Sequence, residues 1–351
     1  QRCVGASMLG AFFSVMIAVS AAGVIPTVPI GPAGLPMPLV SLGTGSGQHG
    51  DVENATATWL QVGGSGIDTA YIYDDEGSIA AGVKAVGASW GSIFLTTKIP
   101  CTTTQAAKAN VASNLRSLGV GRVDLLLIHS PRAWRGGTGR CSVAETWAAL
   151  EEAHAAGQAR SIGVSNFRVA DLERLAATAK VRPALNQCSH SVSYHDDATA
   201  AYCEQRGIVY EAYSPLCGGA NGSSCEHGSV LSIPLVQEIA TSHGVSAAQV
   251  GRRGSTVLSS RCSADRFSIH LSGGPQTLTP KPEPKPKPEQ VALKWVVQQG
   301  RPLTTAVWRR DFMRADLDLW SWGNLTSREM NELSAYAAPA AAAARSAVEA
   351  R

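Results

Sequence analysis

Gly66-Ile67-Asp68-Thr69-Ala70-Tyr71-Ile72-Tyr73 is the stretch that decides the fold. A short apolar run leaves into an acid, a threonine and two tyrosines, where a doubly wound nucleotide-binding fold would need a glycine-rich phosphate turn. The next run, Ile93–Ile99, leaves into Pro100-Cys101-Thr102, again without that turn. Further runs follow at Val123–His129, Ser161–Asn166, Ala184–Gln187 and Ile208–Ser214. Between them lie helical patterns such as Ala106–Leu118, Ala144–Ala156 and Val169–Ala179, with apolar residues at i, i+3 and i+4. Regular strand–helix alternation means a parallel sheet. A run as apolar as Val123-Asp124-Leu125-Leu126-Leu127-Ile128 fits a sheet covered by helices. With no phosphate turn the sheet closes on itself, so the expectation is an α/β chain of one domain, a (β/α)8 TIM barrel. Such barrels take their working groups from the C-terminal ends of strands. The polar residues there are Asp68, Lys98, His129, Asn166, Gln187 and Ser214.

Composition narrows the function classes. A net charge of +3 over 351 residues, with 16% charged and 6% aromatic residues, gives no basic stripe for nucleic acid. The eight cysteines are scattered without a CxxC pair or zinc-ligand spacing, so they read as ordinary thiols and no metal is expected. Met8 to Ile25 is almost wholly apolar, with Arg2 before it and small residues and prolines after it, which is the anatomy of a signal peptide. An uncleaved anchor and a mis-assigned N-terminus are the other readings of residues 1–30, and membrane contact is expected only through residues 8–25. The barrel is expected over residues 37–336, followed by an alanine-rich tail at 337–351.

One segment breaks the alternation. Residues 250–290 have no helical period and end in a Pro/Lys repeat, as expected of a disordered insertion. The flanks nearly repeat, Ala248-Gln249-Val250 before and Glu289-Gln290-Val291 after, and deleting Val250–Gln290 leaves one amphipathic helix. The segment therefore reads as foreign to the fold, translated intron or a surface-loop insertion.

Carbonyl reduction by a nicotinamide needs a hydride donor, an acid for the nascent alkoxide and a group that holds the carbonyl oxygen. Asp68, Tyr73, Lys98 and His129 lie at three successive strand exits. An ammonium beside a tyrosine lowers the phenol's pKa, and a carboxylate keeps that ammonium charged and aimed. Taken singly, each residue has a structural use as a turn, a strand end or a core side chain. Together and in this order they form a proton relay, with His129 donating to the substrate oxygen.

These blocks resemble the aldo-keto reductase superfamily. Gly66 to Glu76 is similar to its first signature. Leu126-Leu127-Ile128-His129-Ser130-Pro131, Ile162-Gly163-Val164-Ser165-Asn166-Phe167, Asn186-Gln187 and Ala212-Tyr213-Ser214-Pro215-Leu216 are similar to later blocks in the same order. Ala292 to Gly300 resembles the helix before what counts, on this reading, as the seventh strand. The resemblance implies a catalytic tetrad of Asp68, Tyr73, Lys98 and His129. It implies that Ser165, Asn166 and Gln187 bind the nicotinamide carboxamide, that Tyr213 stacks on the ring, and that Ser214 and Leu216 hold the pyrophosphate. Two departures stand out. Cys188-Ser189-His190-Ser191 replaces an acidic-aromatic-His-Pro run in the substrate-side wall. Thr304 to Phe312 lacks the Lys-Ser clamp for an adenosine 2′-phosphate and offers Arg309 and Arg310 (with Arg314 beyond) instead. The expectation is NADPH, with NADH as the alternative, and a small-molecule carbonyl substrate acted on by a monomer. The family implies a cytoplasmic protein, and a genuine N-terminal segment a secretory or organellar one. Two other functions compete: a non-catalytic, redox-sensing barrel that keeps its cofactor, and a product inactivated by the 250–290 segment.

Overall fold

The structure is a computed structural model, and it describes residues 25–45, 51–133, 140–216, 229–243 and 287–336. The chain opens on a hairpin, β1 (Thr27–Ile30) and β2 (Leu35–Pro38). Eight parallel strands follow: β3 (Val40–Gly43), β4 (Gly66–Asp68), β5 (Phe94–Ile99), β6 (Val123–Ile128), β7 (Ala159–Ser165), β8 (Leu185–Ser189), β9 (Val209–Tyr213) and β10 (Leu303–Thr305). They close into a barrel in sequence order, with β10 returning to β3. The helices are α1 (Val52–Gln61), α2 (Glu76–Ala85), α3 (Thr104–Leu118), α4 (Val143–Ala155), α5 (Val169–Ala176), α6 (Asp197–Gln205), α7 (Pro234–Ser242), α8 (Pro288–Gln298), α9 (Arg310–Leu317) and α10 (Ser327–Tyr336). The TIM barrel expected from the sequence is the observed fold. The strand before Arg309 is its eighth rather than its seventh, because Val40–Gly43 supplies the first.

Local chemistry explains the elements. The α3 helix starts where the Thr103 hydroxyl accepts from the Ala106 amide and stops at Gly119, whose φ of +68° suits glycine. Its face of Val111, Leu115 and Leu118 is buried. Along the strands the pleat sorts residues by parity. Leu95, Ile99, Leu126, Ile128, Ile162, Val164, Tyr210 and Ala212 join the large core under the helices. Phe94, Leu125, Leu127 and Leu185 point inward and form a second apolar cluster with Ile30, Leu35 and Met37 of the hairpin. The hairpin therefore closes the barrel floor. Thr27–Ile30 belongs to this plug, which corrects the reading that put all of residues 1–30 in a targeting segment. Residues 1–24 lie outside the described residues, and no helix among the described residues is long and apolar enough to cross a membrane.

Two further expectations change. The irregular segment ends before Gln290: Pro288 stands in the first turn of α8, and buried Gln290 accepts from the Lys287 amide while donating to the carbonyls of Ala315 and Asp318. Proline fits there because that turn needs no amide donor. Residues 244–286, with the rest of the segment, lie outside the described residues. The cysteines are not all free thiols either. Cys101, just past β5, is bonded to Cys141, just before α4, across 40 residues of chain. A pairing over that separation has no spacing signature, so the sequence offered nothing to find it by. Closing a loop of that size constrains the unfolded chain by about 4 kcal/mol on the chain-entropy account. The C101S/C141S double variant should accordingly unfold about 2–4 kcal/mol more easily in denaturant titration. Equal midpoints with and without reductant would count against the bond.

Candidate functional site

At the C-terminal end of the barrel the strand exits bring together most of the residues singled out by the sequence. Asp68 ends β4 and Lys98 lies near the end of β5, whose register pairs Asp68 with Thr96 and so sets Lys98 two residues further along the same inward face. Both are buried, and Lys98 Nζ donates to Asp68 Oδ1 at 2.5 Å and to the Thr69 carbonyl at 3.1 Å. Tyr73 lies on the 3₁₀ turn Tyr71–Tyr73 after β4, with the Lys98 ammonium 5.5 Å from its ring centre. Its hydroxyl is 3.5 Å from Nε2 of His129, the residue after β6, and the two rings meet edge to face at 5.6 Å. All four expected residues thus form one cluster.

Burial decides their charge states. His129 is pushed down to about 3 by desolvation, with Lys98 lowering it further, so its imidazole is neutral at ordinary pH. Tyr73 is the correction: the sequence reading expected Lys98 to lower its pKa. Lys98 does act in that direction, but desolvation outweighs it and Asp68 and Asp75 add to the rise, so the phenol sits above its ordinary value. Lys98 itself is raised despite burial, because Asp68 and Tyr73 favour its charged form.

The second set lies on β7, β8 and β9. Ser165 is buried at the end of β7, and Asn166 follows with a φ of +63°, a conformation asparagine tolerates better than most residues. The Asn166 amide donates to the His129 carbonyl at 2.9 Å and to Ser165 Oγ at 3.1 Å, and accepts from the Tyr213 hydroxyl at 2.8 Å. Gln187 Nε2 donates to Asp68 Oδ2 at 2.9 Å and to Glu211 Oε2 at 2.8 Å. Both amide hydrogens are therefore taken, which leaves the amide oxygen as the acceptor Gln187 can offer a ligand. Tyr213, Ser214 and Leu216 follow in line at and beyond the end of β9, with Ser214 at a φ of +52°.

The structure does not bring the two arginines into this cluster. Arg309 is held by Asp311 at 2.7 Å on the exposed start of α9, and Arg310 by the Gln61 side chain. The unusual Cys188–Ser191 wall has a structural explanation in part. His190 is fully buried, stacked on Trp295 of α8 at 5.0 Å and in contact with Arg301 at 3.1 Å, so it packs behind the strand.

Sequence reasoning missed three contributors. Gly45 lies against the Tyr73 ring, where an added Cβ would come within 2.2 Å of Cζ. Asp75 accepts from the Thr69 hydroxyl at 2.6 Å and raises the Tyr73 pKa. Glu211, inside a strand run, is buried below Gln187. The glycine-rich Gly43-Thr44-Gly45 was the one legible signal among these. No group of metal-binding side chains occurs among the described residues.

Comparison with known proteins gives a consistent answer. The profile of the Aldo/keto reductase family matches residues 40–253. A D-galacturonate reductase of Hypocrea jecorina is 34% identical over 262 residues, 68% of this chain and 82% of its own. The glyoxal reductase of Bacillus subtilis is 32% identical, over 62% and 74%. A Bombyx mori aldo-keto reductase solved in complex with NADP superposes with a TM-score of 0.70 at 22% identity, covering 90% of this chain and 94% of that one, which speaks for the fold.

The contact at Gly45 gives a prediction free of any functional assumption. Gly45→Ala sets a methyl against a rigid ring, so stability should fall by about 1–3 kcal/mol, as overpacking does. A thermal or denaturant melt checks this, and an unchanged midpoint would show that Tyr73 moves aside freely.

Proposed function

The chain belongs to the aldo/keto reductase family, and from that premise we propose that it reduces the carbonyl of a small aldehyde or ketone to an alcohol, with NADPH as hydride source. The observation that carries the reading is the convergence of a neutral Tyr73 hydroxyl and a neutral His129 imidazole, 3.5 Å apart, over the buried Lys98–Asp68 pair. When bound, the nicotinamide supplies the hydride to the carbonyl carbon. Tyr73 protonates the alkoxide oxygen. Its phenol is protonated at rest because burial raises it, and Lys98 offsets the cost of the phenolate left behind. His129, kept neutral, donates an N–H to the same oxygen and orients it. Asp68 holds the Lys98 ammonium and receives one Gln187 hydrogen.

The residues fit a carboxamide. Gln187 presents an amide oxygen as acceptor for the carboxamide NH₂, while Ser165, whose oxygen accepts from Asn166, can donate its hydroxyl hydrogen, and the Asn166 Oδ1 lies beside it as a second acceptor. Tyr213 offers its ring to the nicotinamide, and the backbone and hydroxyl at Ser214 and Leu216 serve the pyrophosphate. The carbonyl-reductase names of the relatives support a polar aldehyde as substrate. An assay of NADPH oxidation against aldehydes and ketones tests the proposal, and a protein that binds NADPH yet turns over none of them would instead be a cofactor sensor.

Tyr73→Phe should lower kcat by roughly 10²–10⁴-fold, the loss typical of general acid catalysis, while NADPH affinity changes little. Near-normal turnover would remove Tyr73 from the mechanism. Arg309 and Arg310 serve as 2′-phosphate partners in this proposal, since guanidinium groups bind phosphate in pairs of hydrogen bonds. To do so Arg309 must leave Asp311, and Arg310 must leave Gln61. Replacing both with Ala should weaken NADPH more than NADH in binding titrations. Equal losses, or a starting preference for NADH, would refute it.

A further inference from the structure

A carboxyl group in the middle of a barrel demands a reason. Glu211 lies on β9 between Tyr210 and Ala212, both of which face the helices, so its own side chain points into the barrel. It is 0% exposed. Its Oε2 accepts from Gln187 at 2.8 Å, and its Oε1 has no hydrogen-bond partner. A buried carboxylate with one oxygen unpartnered is expensive. A leucine would fill such a place at no electrostatic cost.

What Glu211 touches supplies the reason. The Gln187 amide nitrogen bridges Glu211 Oε2 and Asp68 Oδ2, so one amide links β9, β8 and β4. Asp68 in turn holds Lys98. The charged groups acting on Glu211 are Asp68 from β4 and Lys98 from β5, with Tyr73 acting on those two from the turn above. Its strand neighbours contribute Gln187 on β8 and only Leu303, Thr304 and Thr305 on β10, none of which titrates.

We propose that Glu211 is a positioning residue for the reduction: with Asp68 it clamps both hydrogens of the Gln187 amide, fixing that oxygen toward the cofactor, and its own protonation tunes the acidity of Tyr73 through the Asp68–Lys98 pair. This rests on the carbonyl-reductase reading of the same site. At neutral pH the proton sits on the otherwise unpartnered Oε1, Oε2 remains free to accept from Gln187, and Asp68 and Lys98 balance. Burial first, then the Asp68 charge, raises the group to about 8. Above that pH Glu211 adds a negative charge to the set, which opposes ionisation of Tyr73 and keeps the acid form available to higher pH.

Two variants test this, with three readouts. E211Q keeps the shape and the acceptor for Gln187 but cannot ionise. E211L removes the acceptor as well. In E211Q the alkaline limb of the kcat profile should move to lower pH, by roughly half a unit or more, while NADPH affinity stays near wild type. In E211L NADPH should bind roughly fivefold more weakly, the worth of one ordinary hydrogen bond.

The third readout needs no turnover. A carboxyl whose folded pKa is raised binds its proton more tightly in the folded chain, so wild-type stability should fall as pH rises from near 4.5 to near 8. That fall should be shallower in E211Q, measured by thermal melts across this range. Identical pH slopes in the two proteins, or kcat profiles that superpose, overturn the proposal. A protein that reduces no carbonyl, yet shows the altered melt slope and the E211L loss of NADPH affinity, would sink the functional reading and leave the buried clamp standing.

Discussion

A lysine ammonium enclosed in the barrel is the constraint on which the rest of the site depends. Each buried ion costs several kcal/mol in lost hydration, and only a close partner of opposite charge offsets it. Asp68 is that partner, and it can be so because β4 and β5 are neighbours in a register that stacks the two side chains. Glycines in β3 and β4 leave room for neighbouring hydroxyls: a Cβ on Gly66 would meet Ser41 Oγ at 2.2 Å, and one on Gly43 would meet Thr304 Oγ1 at 2.6 Å.

The barrel interior is layered, and the layers explain the electrostatics. Its floor is apolar, built from Phe94, Leu125, Leu127 and Leu185 and packed on the hairpin. On it stand Gln187 and Glu211 and, reached through the Gln187 amide, the buried Asp68–Lys98 pair. A low-dielectric floor favours neutral forms in everything standing on it. His129 goes down, and Tyr73 and Glu211 go up, each with burial as the largest cause. Lys98 alone is carried the other way, by Asp68 and Tyr73. A buried Lys98–Asp68 ion pair beside neutral donors suits a reaction in which negative charge develops on oxygen, since such preorganised groups need not reorganise as it forms.

What the sequence disclosed follows the same physics. Strands buried on both faces are long apolar runs, so β5, β6 and β7 could be read to within about two residues of their ends. The exit residues were legible because an acid or a lysine at the end of such a run has no place in a core. The hairpin was not, because Pro29, Pro36 and Pro38 mask it, and prolines sit in a ladder only at an exposed edge, as in this two-stranded sheet. Glu211 was hidden by its own strand: a lone polar residue within a five-residue run looks like the exposed half of an alternation, and only barrel closure turns that face inward. Arg309 and Arg310 were read from composition near a strand end, and their actual partners, Asp311 and Gln61, include one that no local pattern could supply.

The segment before α8 shows how little of the chain a helix start requires. The local signals for α8 are Pro288 in its first turn and Gln290, whose amide reaches the Ala315 and Asp318 carbonyls that α9 leaves behind. Both lie within four residues of Val291, and from Val291 to Val297 every residue is buried. The earlier flank carries the same glutamine, Gln249, before the same valine, but no proline. The later repeat carries the proline of the first turn and the glutamine that ties the helix to α9. The apolar face of α8 then packs on α7.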